Sequence, residues 1–280
     1  MRNGLILGFF DGVHIAHQAV ISSAVNYAEN PVLITFKDSP AKFFHKKCEY
    51  IYPRRKSVEK IKSLGVKEVI EFDFEQIAGM RAEDYLEYLV KVFRPVSIST
   101  GFNHTFGKNK GGNPELLEAC SKKYGYKYFC VEPQTFESSV VSSTLIKNYL
   151  KEGKIETANT LLGSRFSLEG EVIHGAEIGR TIGFPTANLN YPSEIVRMPY
   201  GVYAGLAEGR HAVINWGMKP TVHNTKEPVA EVHIINYEGN LYGKTLEVEI
   251  LKKLRDERKF NSLEELKAQI NKDTEECLKL

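Results

Sequence analysis

A chain of 280 residues exceeds the usual size of one domain, so two domains are expected, each able to bury a core of its own. Its 42% hydrophobic and 26% charged residues are an ordinary globular composition, and a net charge of +2 gives no broad basic surface, which argues against a nucleic-acid partner. No apolar run approaches the roughly 20 residues that span a bilayer, so no membrane association is expected and a cytoplasmic location is. The opening MRNGLILGFFDGVH meets Asp11 before a secretory core could finish and reads as a strand leading into a loop. Cys48, Cys120, Cys130 and Cys277 lie far apart without CxxC spacing, which suits reduced thiols.

The first half alternates short apolar runs (LILGFF, PVLITF, KEVIEF, PVSIST, YKYFCV) with amphipathic stretches such as His17 to Tyr27 and Ala82 to Val92. This pattern predicts an α/β domain, a parallel sheet with helices on both faces. Ligands of such sheets bind beyond the carboxyl ends of the strands, where DGVH leads into a helix from about His17. Helical texture then runs from SSTLIK, capped at Ser142 or Ser143, to stops at Gly153 and Gly163. After Phe166 come strands without intervening helices (SLEGEVIHG, TANLNY, GVYAGLAEG, HAVINWG, PVAEVHIINYEG, KTLEVEILKKL), so a small antiparallel β-barrel is expected, closed by a helix capped at Asn261 or Ser262. The domains are expected to span residues 1–162 and 163–280.

Three stretches of the first half carry chemistry. His14 and His17 stand at a helix start, where free N–H groups and the helix dipole attract phosphates. HxxH alone is more often a capping or surface pair, and a metal site would need a third ligand that is not evident. GFNHTFGKNKGG, following PVSIST, brings Asn103 to the same sheet edge, and VSSTLIK offers Ser142, Ser143, Thr144 and Lys147 at a helix start, which suits a triphosphate although it is also an ordinary cap.

GFFDGVHIAH, GFNHTFGKNKGG and SSTLIKNYLKEGKIETANTLLG resemble, in order and spacing, the adenylyltransferase half of prokaryotic bifunctional riboflavin kinase/FAD synthetases, members of a nucleotidyltransferase superfamily marked by HxGH. The resemblance implies a Rossmann-like domain that transfers AMP from ATP to FMN, forming FAD and pyrophosphate. It further implies that Gly8, Asp11, His14, His17, Ser142, Ser143, Thr144 and Lys147 handle ATP and that Asn103 helps place the flavin nucleotide or ATP. Three positions depart from the family pattern: Ala16 replaces a glycine, His104 a phenylalanine and Lys147 an arginine.

The second half is denser in motifs. GAEIGRTIGFPTAN carries Gly175, Gly179, Arg180 and Gly183 on a loop that could cradle phosphates or be an ordinary glycine-rich turn. Thr186 and Asn188 offer hard oxygens suited to Mg²⁺, and Glu231 in AEVHI could be a general base in a cleft or belong to a solvated strand face. Together with GVYA and LRDERKF these resemble the riboflavin kinase module over about 166–280. The resemblance implies that riboflavin is phosphorylated to FMN by ATP, with Glu231 as base, Thr186 and Asn188 at Mg²⁺, the glycine-rich loop at ATP and Arg255 at the flavin. Two other readings stay open: a kinase whose first domain has a changed substrate, and a flavin-sensing module without catalysis.

Overall fold

In a computed structural model, described over residues 2–174, 179, 183–218 and 228–280, the chain divides into two compact units, Met1–Ser143 and Thr144–Leu280. The first is built from β1 (Asn3–Leu7), α1 (Ile15–Val25), β2 (Asn30–Phe36), α2 (Pro40–Phe43), α3 (Arg54–Ser63), β3 (Glu68–Phe72), α4 (Phe74–Ile77), α5 (Ala82–Phe93), β4 (Pro95–Gly101), α6 (Pro114–Tyr124) and β5 (Lys127–Val131). A short hairpin of β6 (Thr135–Phe136) and β7 (Ser139–Val140) follows. The sheet is parallel in the order β3-β2-β1-β4-β5, so the chain reverses its direction of travel across the sheet between β1 and β4.

The predicted layers follow from the period-two alternation of the strands. Leu5, Leu7, Val32 and Ile34 pack in one core with Tyr85, Leu86 and Leu89 of α5, while Ile6 and Leu33 join Val20, Ile21 and Ala24 of α1 in the other. Both faces are therefore covered, and runs such as LIL and VLI are buried throughout. Two boundaries differ from the expectation. The first strand stops at Leu7 rather than running to Phe10, because Phe10, Gly12 and Val13 take left-handed backbone that no strand accommodates. The first helix begins at Ile15 rather than near His17, with His14 as its cap.

The first unit ends at Ser143, the first residue of α7 (Ser143–Lys151); the rest of α7 and α8 (Ile155–Leu162), which ends in a left-handed Gly163, open the second. Then come β8 (Phe166–Ile173), β9 (Ala187–Asn190), β10 (Gly201–Ala207), β11 (Arg210–Met218), β12 (Pro228–Ile234) and β13 (Thr245–Arg255). They close an antiparallel barrel in the order β10-β11-β12-β9-β8-β13, with β13 pairing back onto β10. Along β13, Leu246, Val248 and Ile250 are buried while Thr245 and Glu247 are exposed, the alternation a barrel wall requires. Trp216 is fully buried and donates its indole N–H to the Met198 carbonyl at 2.9 Å. The terminal helix, Leu263–Cys277, is capped by Ser262 and packs Cys277 against Val202, Ala204 and Val213.

Asn159 joins α8 to the barrel: its side-chain oxygen accepts from Phe166 N at 2.7 Å and its amide donates to the Ile250 carbonyl at 2.9 Å. An Asn159→Ala substitution leaves both backbone groups without these bonds, so it should cost about 2 kcal/mol of unfolding free energy. Urea denaturation of the two proteins measures it, and equal midpoints would show that α8 is not anchored through this side chain.

Candidate active sites

The loop after β1 is tightly tied. Gly12 has φ +81°, and a Cβ there would meet Ile51 Cδ1 at 2.5 Å. Val13, a β-branched residue, stands at φ +48°, the kind of strain found where a backbone shape is imposed for a purpose. What imposes it is a set of hydrogen bonds. The Asp11 carboxylate accepts from Ile51 N at 2.9 Å, the Asp11 carbonyl accepts from Ser143 Oγ at 2.8 Å, and the Val13 carbonyl accepts from Gln18 Nε2 at 2.9 Å. On the other side the Phe9 carbonyl faces Thr35 Oγ1 and Arg54 Nη1, both at 3.4 Å, and Arg54 is held by Glu71 at 2.5 Å.

This loop delivers the two histidines to the start of α1. His14 is the N-cap and its Nδ1 accepts from His17 N at 3.4 Å; the two rings stack with centroids 3.6 Å apart. Burial pushes the His14 imidazole down to about 4, and burial together with the neighbouring His14 holds His17 well below the usual histidine range. Both are therefore neutral at pH 7 and act there as hydrogen-bonding groups rather than as cations. His17 Nδ1 is buried without a hydrogen-bond partner. Gly8 closes β1 by donating its N–H to the Ile34 carbonyl at 3.3 Å.

β4 runs beside β1, so the loop from Phe102 to Gly112 leaves the same sheet edge. Ser23 Oγ, on α1, bonds Ser99 Oγ of β4 at 2.9 Å and fixes helix and strand together. Asn103 is exposed on this loop, and paired backbone bonds between Phe106 and Gly112 close it. The first unit thus brings Gly8, Asp11, His14, His17, Asn103, Ser142 and Ser143 to its carboxyl edge or the segment tied to it, while Thr144 and Lys147 belong to the second unit.

In the barrel, three polar side chains lie in one row across three strands: register pairs Glu231 of β12 with Asn188 of β9 on one side and Asn215 of β11 on the other. Asn215 Nδ2 donates to Glu231 Oε2 at 3.2 Å, which fixes the carboxylate. Glu231 and Asn215 line a cavity of about 660 Å³ together with Thr186, His233, Arg255 and Phe260. A second cavity, of about 590 Å³, is lined by Thr186, Pro185, Val232, Glu238 and Tyr242, so Thr186 borders both. Asn188 is 4% exposed and borders neither.

Gly179 borders the larger cavity and accepts a 2.8 Å bond from Phe184 N; a Cβ would drive into the Phe184 carbonyl, which explains glycine there. Gly183 is left-handed and exposed, and Gly175 and Arg180 lie outside the described residues. Arg255 lines the cavity, but its guanidinium is engaged by Asp273 through Nε at 3.1 Å and Nη2 at 2.8 Å, and Gln269 bonds the same carboxylate at 2.7 Å. It therefore fastens the terminal helix to β13. Among the described residues no cluster of His, Cys, Asp or Glu could hold a metal ion by itself.

Sequence reasoning passes over Asn215, His233 and Arg54. The signals for the first two are present: Asn215 interrupts the apolar run AVINW, and His233, two residues after Glu231, must share its face. His233 Nδ1 bonds the Pro185 carbonyl at 2.9 Å, steadying the segment that carries Thr186. Arg54 meets Phe9 and Glu71 only through the fold.

The neutral histidines make the first unit acid-sensitive. An unfolded histidine titrates near 6.5, so below that pH the unfolded chain takes up protons that folded His14 refuses until about 4. Stability is therefore unaffected above pH 6.5 and falls as pH drops from 6.5 towards 4. His14→Asn keeps a capping side chain without the titration, and should lose about 2 kcal/mol less than the parent between pH 7 and 4.5, read by urea unfolding at the two pH values. Identical losses would contradict the burial argument.

Residues 2–145 match the family described as FAD synthetase and residues 162–280 the family described as riboflavin kinase. The chain is 33% identical to the bifunctional riboflavin kinase/FMN adenylyltransferase of Bacillus subtilis (strain 168), covering 99% of this chain and 92% of that one. It is 34% identical to the protein of the same description from Escherichia coli (strain K12), covering 96% and 90%. A solved structure titled macrolide-efflux protein from Streptococcus pneumoniae superimposes with a TM-score of 0.87 at 30% identity, over 98% of this chain and 93% of that one; among the described residues of this chain no helix is long and apolar enough to cross a membrane. With both halves matched and the relatives aligned nearly end to end, the chain belongs to the bifunctional riboflavin kinase/FMN adenylyltransferase family.

Proposed function

We propose that the chain makes FAD from riboflavin in two steps, phosphorylation by residues 163–280 and adenylylation by residues 1–162. The observation that carries the kinase step is Thr186, bordered on each side by a cavity large enough for a substrate, with Glu231 on the wall of the larger. Riboflavin occupies the cavity of Glu231, Arg255 and Phe260, and ATP binds next to Thr186 and Gly179 at the border of that cavity, with Gly175, Arg180 and Gly183 assigned to ATP by the family resemblance alone. Glu231, fixed by Asn215, takes the proton of the riboflavin 5′-hydroxyl as that oxygen attacks the γ-phosphorus and ADP leaves. The hydroxyl of Thr186, which borders both cavities, is a hard donor that would hold Mg²⁺. The side-chain oxygen of Asn188, buried beside Glu231 in the barrel wall, is the second donor only if it turns to the cavity. Mg²⁺ when bound would neutralise the charge on the transferring phosphoryl group.

In the adenylylation step an oxygen of the FMN phosphate attacks the α-phosphorus of ATP and pyrophosphate leaves, so no protein nucleophile is needed. The start of α1 receives the phosphates: its free N–H groups and the donors of His14 and His17 replace water around them. Gly8 and Asp11 shape the loop that receives ATP, Ser142 and Ser143 close on its phosphates, and Asn103 helps place the flavin nucleotide or ATP. A cytoplasmic enzyme acting on small molecules, rather than on nucleic acid or a membrane, agrees with the near-neutral charge.

Two variants separate the steps. Glu231→Gln should lower FMN formation from riboflavin at least ~100-fold while still converting supplied FMN to FAD, and His17→Ala should lower FAD formation at least ~100-fold while FMN still accumulates. Chromatographic separation of the flavins over time reads both. A variant that loses both products, or neither, contradicts the assignment of the two sites.

A further inference from the structure

His104 lies three residues past β4, on the loop that leaves the sheet edge shared with His14 and His17. Its backbone N–H donates to the Gly101 carbonyl at 3.1 Å, so it sits on a tight turn, and the paired Phe106 and Gly112 backbones hold the segment behind it. Its ring stacks on Phe106, centroids 5.7 Å apart and planes at 21°, and Phe102 on the same loop exposes its side chain. Yet its Nε2 is buried with no hydrogen-bond partner. A buried ring nitrogen left unpaired is destabilising, and native folds keep such groups where a ligand or water completes them.

The geometry points to His104 as a specificity-determining residue of the adenylylation site, its Nε2 completing a hydrogen bond to the isoalloxazine ring of FMN. The inference rests on the proposed adenylylation of FMN and deepens it. A flat ring, rather than a phosphate, is the partner that the surroundings suit. Burial pushes the imidazole down to about 4, so it is neutral, and a neutral donor beside Phe106 and exposed Phe102 matches an aromatic ring with carbonyl and imide edges better than a dianion. The neighbouring Asn103, already proposed to help place the flavin nucleotide or ATP, adds a second polar group on the same loop.

The test uses the full chain, whose kinase step reports on folding. His104→Phe keeps a stacking ring and removes the nitrogen; His104→Gln keeps a hydrogen-bonding group and removes the ring. The expected result is a KM for FMN raised about 10-fold in His104→Phe, with KM for ATP and the kinase step unchanged, and partial recovery in His104→Gln. Lumiflavin, which carries the ring but no hydroxyl to phosphorylate, should lose its inhibition of FAD formation from FMN by the same factor. An unchanged KM for FMN in His104→Phe overturns the inference and leaves the adenylylation reading standing. So does a raised KM with unaltered lumiflavin inhibition, which assigns the contact to the phosphate. A parent protein that makes no FAD from FMN overturns both.

Discussion

The constraint on which the first site depends is the backbone shape between Gly8 and His14. A parallel strand delivers its chain end straight out of the sheet, and a helix must then start within a few residues to pack back on it. Three left-handed residues make that turn, and two of them, Phe10 and Val13, are residue types that resist it. The buried Asp11 carboxylate, bonded to Ile51 N, and the Asp11 carbonyl, bonded to Ser143, supply the restraint. Loosening the loop would release the His14 cap and the stacking of the two imidazoles, which are set by the direction in which α1 begins.

The second site is governed by closure instead of strain. In a closed barrel each residue has neighbours on both sides, so a polar row such as Asn188–Glu231–Asn215 can be assembled from three strands distant in sequence. The same closure leaves an open mouth, and the terminal helix, fastened by the Arg255–Asp273 bonds, supplies Leu266, Ile270 and Asp273 to the cavity wall. On the proposed assignment the two halves would reach phosphate chemistry by different means, one through a helix start with neutral histidines, the other through a carboxylate fixed by an amide. Both are positioning devices, in keeping with reactions that need no covalent intermediate.

Much of this was legible in the sequence, and the reason is periodicity. Runs such as LILGFF and PVLITF, alternating with amphipathic segments, point to a parallel sheet covered on both faces, and Leu5, Ile6 and Leu7 divide between its two cores as that pattern requires. The barrel strands from SLEGEVI to KTLEVEIL are equally plain, and of the two candidate caps, Asn261 and Ser262, the helix uses Ser262. What stayed hidden depends on contacts between distant residues or on burial. α2 and α4 are four residues long, too short for a helical period to show. Histidine is an unusual N-cap, so the residue types give no signal that α1 begins at Ile15. That His14 and His17 are neutral follows from the atoms around them, and that Arg255 is committed to Asp273 follows from the docking of the terminal helix.

The central claim is that one chain transfers two different parts of ATP to the same flavin, and isotopic labelling tests it most directly. Purified protein with riboflavin and Mg²⁺ would be given ATP labelled at the γ-phosphorus in one reaction and at the α-phosphorus in another, and the flavins separated. The account predicts γ-label in FMN, retained in FAD, and α-label in FAD alone. FMN carrying γ-label with α-label in no flavin would contradict it, leaving a kinase and a sheet domain with other chemistry.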